Sequence, residues 1–136
     1  MNNIRKQNIE ESMRKYYKAY NVLTDLSIDT ISKLSTPALK TNSLKDKIVV
    51  DAMRTIAEVE PFLEKLCIEE SEFLVALYGG NDGGSCLAEK IADDKGISRR
   101  SVYNKKRDIL CKLDALLPQK LSESEREGLF AKRWHR

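Results

Sequence analysis

The chain has 136 residues, of which 41% are apolar and 33% charged, and its formal net charge is +3. This length and composition predict one compact domain with a modest core and exclude a disordered tail. No apolar run approaches the roughly 18–20 residues of a membrane-spanning helix, and the amino terminus lacks the apolar core of a signal peptide, so we expect a cytoplasmic protein.

The three cysteines agree with an intracellular compartment. Cys67, Cys86 and Cys111 are odd in number and lack CxxC spacing, which predicts reduced thiols rather than disulfides. Each cysteine is expected to serve as a small apolar packing residue.

The first helical stripe lies near the amino terminus and advances in steps of four and three residues. Its apolar positions are Ile9, Met13, Tyr16, Tyr20 and Leu23. This spacing predicts an amphipathic helix and is nearly a heptad seam. We expect the helical segment over residues 1–35 to complete the core of its own domain. The alternative is a dimer contact, for which about two heptads are short.

A short helix and a linker are predicted next. Ser27 is a suitable N-cap for the short helix. Its apolar face would hold Ile28, Ile31 and Leu34. The stretch STPALKTNS contains a proline, polar residues and no periodicity, which predicts a linker over residues 36–43. Ser43 with Asp46 then resembles a capping box and predicts the start of a long helix.

The stripe of this long helix continues past a proline. Its apolar positions are Val49, Ala52, Ile56, Val59, Leu63 and Leu66. Because proline lacks an N–H and its ring presses on the preceding turn, Pro61 predicts a kink or a new helix start near Glu60. The stretch EESEFLVALYGG then predicts a further helix that ends at its glycines. The apolar residues of that helix are Phe73, Leu74 and Leu77.

Residues 85–117 divide into a short helix, a turn and a long helix. The apolar face of the short helix holds Leu87, Ile91 and Ala92. Gly96 supplies the left-handed backbone that a sharp turn needs. Ser98 is a natural N-cap, and Ile97 before it can pack on Val102 as a hydrophobic staple. The long helix would bury Val102, Ile109, Leu113 and Leu116.

An alanine, a glycine turn and an apolar anchor in this order are typical of a helix-turn-helix. We therefore predict an all-α fold. It would be a small helical DNA-binding domain over residues 44–117, with the helix-turn-helix over residues 85–117.

The second helix of the motif is strongly basic. Seven cations and one acid, Asp108, lie between Lys95 and Lys112, a local charge of +6 against +3 for the whole chain. The cations are Lys95, Arg99, Arg100, Lys105, Lys106, Arg107 and Lys112. A charge run usually marks a solvated face, but these cations begin in the first turn of a helix that would enter the major groove amino end first. We therefore predict that this helix, about residues 98–116, contacts double-stranded DNA.

The residue types along this helix predict particular base contacts. Arg99 and Arg100 would each donate two parallel hydrogen bonds to guanine, worth about 1–3 kcal/mol of discrimination. Asn104 would pair with adenine. Tyr103 would touch a thymine methyl or a phosphate, or else pack beside Leu110.

Phosphate contacts are predicted around these base contacts. Lys105, Lys106 and Arg107 would hold the register without reading sequence. The stem of Lys106 would lie along the core, because it follows Val102 by one turn, and its ammonium would emerge. Ser85, at the start of the short helix, would also donate to a phosphate. The predicted DNA-binding residues are Ser85, Ser98, Arg99, Arg100, Ser101, Tyr103, Asn104, Lys105, Lys106 and Arg107.

A resemblance to a known family extends over roughly residues 9–117. The motif resembles the fourth region of bacterial sigma factors, and the chain resembles the small phage-encoded transcription regulators of the ArpU family, the RinA-type late-gene activators and sigma-like phage factors. The matching stretches are VVDAMRTIAEVEPFLEKL, EESEFLVALY and IADDKGISRRSVYNKKRDILCKLDALL. The stretch GGNDGG departs from the shorter, more apolar connection of those relatives. The resemblance implies a bacterial host or prophage cytoplasm and activation of phage late, packaging or lysis genes.

The tail over residues 118–136 is predicted to form a short helix. Ser122 and Glu125 make a capping box. The apolar side of the helix would hold Leu129, Phe130 and Trp134. This helix would dock on the domain or contact a partner such as RNA polymerase. Arg133, His135 and Arg136 are candidates for further phosphate contacts.

Catalysis is not expected. The single histidine, His135, lies one residue from the carboxy terminus, where a general base is hard to hold rigidly. The stretch GGNDGG lacks the residues of a phosphate loop or a calcium loop and predicts a flexible turn. We expect no cofactor and no metal.

Two readings other than a DNA-binding regulator remain at this point. One is a helical adaptor that binds RNA polymerase or another protein. The other is a DNA-packaging recognition subunit, similar to a small terminase. For a regulator, one motif covers few base pairs, which favours a homodimer on two spaced half-sites.

Overall fold

The computed structural model of the chain describes residues 2–24, 44–79 and 88–134. Six helices account for most of these residues: α1 (Asn3–Thr24), α2 (Leu44–Leu63), α3 (Ile68–Tyr78), α4 (Ala88–Lys95), α5 (Arg99–Leu116) and α6 (Glu123–Trp134). The described ranges contain no strand, so the prediction of an all-α fold is confirmed. None of the described helices combines the length and the apolar character that crossing a membrane requires.

Several sequence predictions concern residues outside the described ranges. They are the short helix after Ser27, the linker over residues 36–43, the cap at Ser43, the loop GGNDGG beyond Gly79, and the positions Ser85, Cys86, Leu87, His135 and Arg136.

Helix α1 is part of the same core as the rest of the domain. Its buried residues are Ile9, Met13, Tyr16, Ala19 and Leu23. It packs chiefly on α2 and also contacts α3 and α5. The predicted stripe is wrong at Tyr20, which is 38% exposed, because its hydroxyl donates to the carboxylate of Glu60 at the domain edge. Helix α1 therefore buries its apolar side in the core that the other described helices share.

Helix α2 runs without interruption past its proline. The predicted stripe is buried except at Val59, which is half-buried. Pro61 lies inside the helix, and the helix ends two residues later at Leu63. Of the two alternatives predicted near Glu60, a kink or a new helix start, the new start is wrong. A proline in the last turn removes only one hydrogen bond of a helix that is already ending.

Helix α3 ends where its glycines predict. Phe73, Leu74 and Leu77 are buried as expected. At the end of the helix, the N–H of Gly79 donates to the carbonyl oxygen of Val75 at 2.7 Å. Cys67 is the N-cap residue, and it is exposed, as is Cys111 on α5. The packing role predicted for these two thiols is therefore wrong, because one stands at a helix end and the other on the outer side of α5.

The turn between α4 and α5 has the predicted geometry. Gly96 has a φ of 67°, in the left-handed region, and the N–H of Ile97 reaches back to the carbonyl oxygen of Ala92 at 3.0 Å, which closes the end of α4. Ser98 caps α5 with its Oγ, which accepts from the N–H of Ser101 at 3.1 Å. The buried residues of α5 are Val102, Ile109, Leu110 and Leu113, with Leu116 half-buried.

Helix α6 docks on α2. The reciprocal hydrogen bonds between Ser122 and Glu125 confirm the predicted capping box. Phe130 and Trp134 pack against the core, and the indole Nε1 of Trp134 donates to the carbonyl oxygen of Met53 at 2.9 Å. Two ion pairs border this contact, Arg126 with Glu58 and Arg133 with Glu60. The Arg133 guanidinium is thus engaged within the domain, contrary to its suggested contact with phosphate.

The turn can be tested with two glycine substitutions of opposite sign. Gly96→Ala should lower the free energy of unfolding by about 1–2 kcal/mol, because the left-handed backbone is costly for an L-residue. Gly128→Ala, inside α6, should raise it by about 0.5–1 kcal/mol. A Cβ meets nothing within 4 Å at either site, so sterics do not confuse the comparison. Urea denaturation measures both; equal signs would contradict the assigned turn.

Candidate nucleic-acid interface

Helix α5 carries an exposed row of polar residues opposite its buried side. Arg100, Tyr103, Asn104 and Arg107 are all exposed, and their spacing of three, one and three places them on one face of the helix. Tyr103 is 52% exposed and lies outside the core that buries Leu110, which rules out the packing alternative. We call these four residues the outer row of α5.

The two predicted arginines differ in their surroundings. The Nη1 of Arg99 lies 3.1 Å from Oε1 of Glu89, in the first turn of α4. Both side chains of this pair remain on the surface, at 60% and 62% exposure. Within the described residues, no ion pair engages Arg100. The guanidinium of Arg100 is therefore the less constrained of the two.

Lys106 is tied to α1 rather than emerging into solvent. Its Nζ lies 3.4 Å from Oε2 of Glu10, whose side chain is only 13% exposed. The same oxygen accepts from the hydroxyl of Tyr78 at 3.0 Å and lies 3.5 Å from Nη2 of Arg14. Burial and the Glu10 charge raise the pKa of Tyr78 and keep it a neutral donor. The predicted emergence of the Lys106 ammonium toward a phosphate is therefore corrected: the ammonium links α1 to α5.

Lys112 links α5 to α3. Its Nζ lies 2.7 Å from Oε1 of Glu70, and the same oxygen accepts from the N–H of Cys67 at 3.0 Å. These bonds, above all the one from Lys112, lower the pKa of Glu70 from 4.5 to about 2. The pair fixes the carboxyl end of α5 against the amino end of α3.

The other cations of the basic segment, which spans residues 95–112, are more exposed than Lys106. Arg107 lies 3.8 Å from its neighbour Asp108, both on the surface. The Nζ of Lys95 lies 5.6 Å from the ring centre of Phe73, a cation–π distance. Lys105 is exposed, and within the described ranges no ion pair engages it.

The charge of this segment is therefore partly neutralised in three dimensions. Glu10, Glu70 and Glu89 come from three other helices and pair with three of its seven cations. Sequence reasoning missed these acids, because each is one carboxylate among many and lies at least ten residues from its partner. The local excess of +6 along the chain overstates the positive charge of the folded surface.

The two serines of the predicted site have structural roles. Ser98 Oγ donates to Ser101 Oγ at 2.9 Å and accepts from the Ser101 N–H. These bonds cap α5 and hold its first turn. Ser85, the third serine of the prediction, lies outside the described residues.

The chemistry that remains on the outer side of α5 is hydrogen-bond donation and positive charge. It consists of guanidinium, phenol, carboxamide and ammonium groups. In the part of the chain that the structure describes, no group of three or more His, Cys, Asp or Glu side chains could hold a metal ion.

Comparison with known proteins adds no relative. The chain matches no protein-family model, no curated protein and no solved structure.

The contacts of Glu10 with Lys106, Tyr78 and Arg14, which we call the Glu10 junction, predict that loss of this carboxylate lowers stability strongly. Glu10→Ala should lower the free energy of unfolding by about 2–3 kcal/mol, because it leaves Tyr78 and Lys106 without a partner in a largely buried place. Glu11→Ala removes the neighbouring pair with Lys15, at 62% and 68% exposure, and should change stability by at most about 0.5 kcal/mol. Chemical denaturation of both variants checks this. Equal losses would contradict the junction.

The lowered pKa of Glu70 predicts a dependence of stability on pH. Because its folded-state pKa is below the unfolded value, its stabilisation is present above about pH 4.5 and is lost as the pH falls toward 2. The melting temperature of wild type should therefore fall more steeply across this window than that of Glu70→Gln.

Two further variants make the pH experiment specific to the pair. Lys112→Met removes the cation and should also flatten the curve. Glu72→Gln, exposed on the same helix, should keep the wild-type slope. A Glu70→Gln curve parallel to wild type would show that the pair does not act in this way.

Proposed function

We propose that the protein is a sequence-specific DNA-binding transcription regulator in which α5 enters the major groove. One observation supports this above the others: a helix held by a glycine turn and a serine cap carries Arg100, Tyr103, Asn104 and Arg107 on its outer face. These are residue types that read base edges and grip phosphates.

The outer row has a complete division of chemical roles. Arg100 would donate two hydrogen bonds to guanine, and Asn104 would exchange two with adenine. Tyr103 would meet a thymine methyl or a phosphate. Arg107, farther from the tip, and Lys105, at the side of the helix, would hold phosphates.

The regulatory context is also part of the proposal. A single motif covers few base pairs, so we propose that two copies bind spaced half-sites. The resemblance to ArpU-type and RinA-type phage regulators supports a role in activating phage or prophage late genes in a bacterial cytoplasm, with RNA polymerase as a further partner.

Selection of bound duplexes from a random pool, followed by footprinting, tests this function directly. We expect one preferred sequence, protected as two spaced half-sites. With four to six phosphate contacts, affinity should fall with a log–log salt slope of about −4 to −5. The absence of any preferred sequence would contradict the proposal.

Substitutions along α5 should distinguish residues that contact base edges from residues that contact phosphates. Arg100→Ala and Asn104→Ala should each reduce discrimination between the selected and a scrambled duplex by about 1–3 kcal/mol. Lys105→Ala should weaken both duplexes alike and reduce the salt slope by about 1. Lys47→Ala, an exposed cation on α2, is the matched control and should change neither.

A second candidate is the helical adaptor. The observation in its favour is that Glu10, Glu70 and Glu89 engage three of the cations that DNA would otherwise attract. An adaptor would bind DNA weakly and without preference, and the variants of the outer row would leave that binding unchanged. The selection experiment therefore separates the two candidates.

A further inference from the structure

We infer that Glu89 is a positioning residue that sets the sequence preference of the proposed DNA interface by holding Arg99. This inference rests on the proposed function and deepens it. It assigns a role to an acid, on a helix that does not itself read bases.

The geometry places Glu89 at the tip of the interface. Glu89 lies in the first turn of α4, and Arg99 is the first residue of α5. Their contact of 3.1 Å therefore joins the amino ends of both helices of the motif. Both side chains are more than half exposed, so DNA at the tip of α5 would reach the pair without a change of fold.

The positive charge in the first turn of α5 favours an acidic residue such as Glu89 beside it. The first turn of α5 contains two arginines and no acidic residue, and this positive charge opposes the helix dipole. Glu89 supplies the missing negative charge from the neighbouring helix. Arg100 has no such acid among the described residues, so Arg99 alone is held in one direction.

The pair leaves Arg99 able to bind DNA. A guanidinium has five N–H donors in a fixed plane, and the contact with Glu89 uses Nη1. Nε and Nη2 remain for a base edge or a phosphate. A planar group held on one side loses less rotational freedom when it binds, which favours the duplex that matches its orientation.

Removal of the Glu89 charge should therefore have two effects of opposite sign. Affinity for any duplex should rise, because a carboxylate no longer repels phosphates. The preference for the selected sequence should fall, because Arg99 is no longer oriented. A role confined to stability would change the affinities for both duplexes by the same factor and leave their ratio unchanged.

The test compares Glu89→Gln with a matched control on the same helix. Asp94→Asn also removes one exposed acid of α4, and within the described residues no ion pair involves Asp94. Affinities are measured for the duplex selected from a random pool and for a scrambled duplex of equal composition. We expect Glu89→Gln to reduce the ratio of the two affinities about two- to fivefold, and Asp94→Asn to leave the ratio unchanged.

An Arg99→Ala background completes the experiment. If Glu89 acts through Arg99, Glu89→Gln should no longer change the ratio once Arg99 is alanine. Equal effects of Glu89→Gln and Asp94→Asn, or an undiminished effect without Arg99, would overturn the inference while leaving the proposed function intact. Failure of wild type to prefer any sequence would overturn the proposed function and this inference together.

Discussion

The burial of one side of α5 is the constraint on which the rest of the structure depends. Val102, Ile109, Leu110 and Leu113 are sealed in the core, and α5 packs against α4, α1 and α2. A helix has 3.6 residues per turn, so fixing this side also fixes what faces outward. The outer row of α5 faces solvent because the opposite, apolar side of the helix is buried. A rotation of α5 about its own axis would move the outer row away from its present position.

Electrostatics then divides similar side chains between two tasks. Lys106 forms an ion pair with Glu10, and Lys112 forms one with Glu70. These pairs join α5 to helices that are distant in the sequence. Such links hold α5 at a fixed angle, above all where the acid is largely buried and a missing partner is costly. Arg100 and the rest of the outer row keep their polar groups at the surface. A basic helix of this kind is partly an internal scaffold and partly an exposed face.

A second carboxylate, that of Glu60, links helices in the way that the Glu10 carboxylate links α1 to α5. Glu60, near the end of α2, accepts from the hydroxyls of Tyr16 and Tyr20 on α1 and from Nε of Arg133 on α6. Burial raises the pKa of Tyr16 and keeps its hydroxyl protonated. One acid thus joins the first and last described helices to α2, and the carboxy-terminal helix belongs to the domain.

Elements that depend on neighbouring residues could be predicted from the sequence alone. The period of the apolar residues, the left-handed turn at Gly96, the cap at Ser98 and the tail's capping box were all predictable, because each depends on residues within one or two turns. The pairing of each cation with its acid depends instead on how helices distant in the sequence pack together, and this packing leaves Arg100 without an ion pair among the described residues. A single carboxylate such as Glu10 carries no local signal of its partner, since α1 and α5 meet only when both bury their apolar sides.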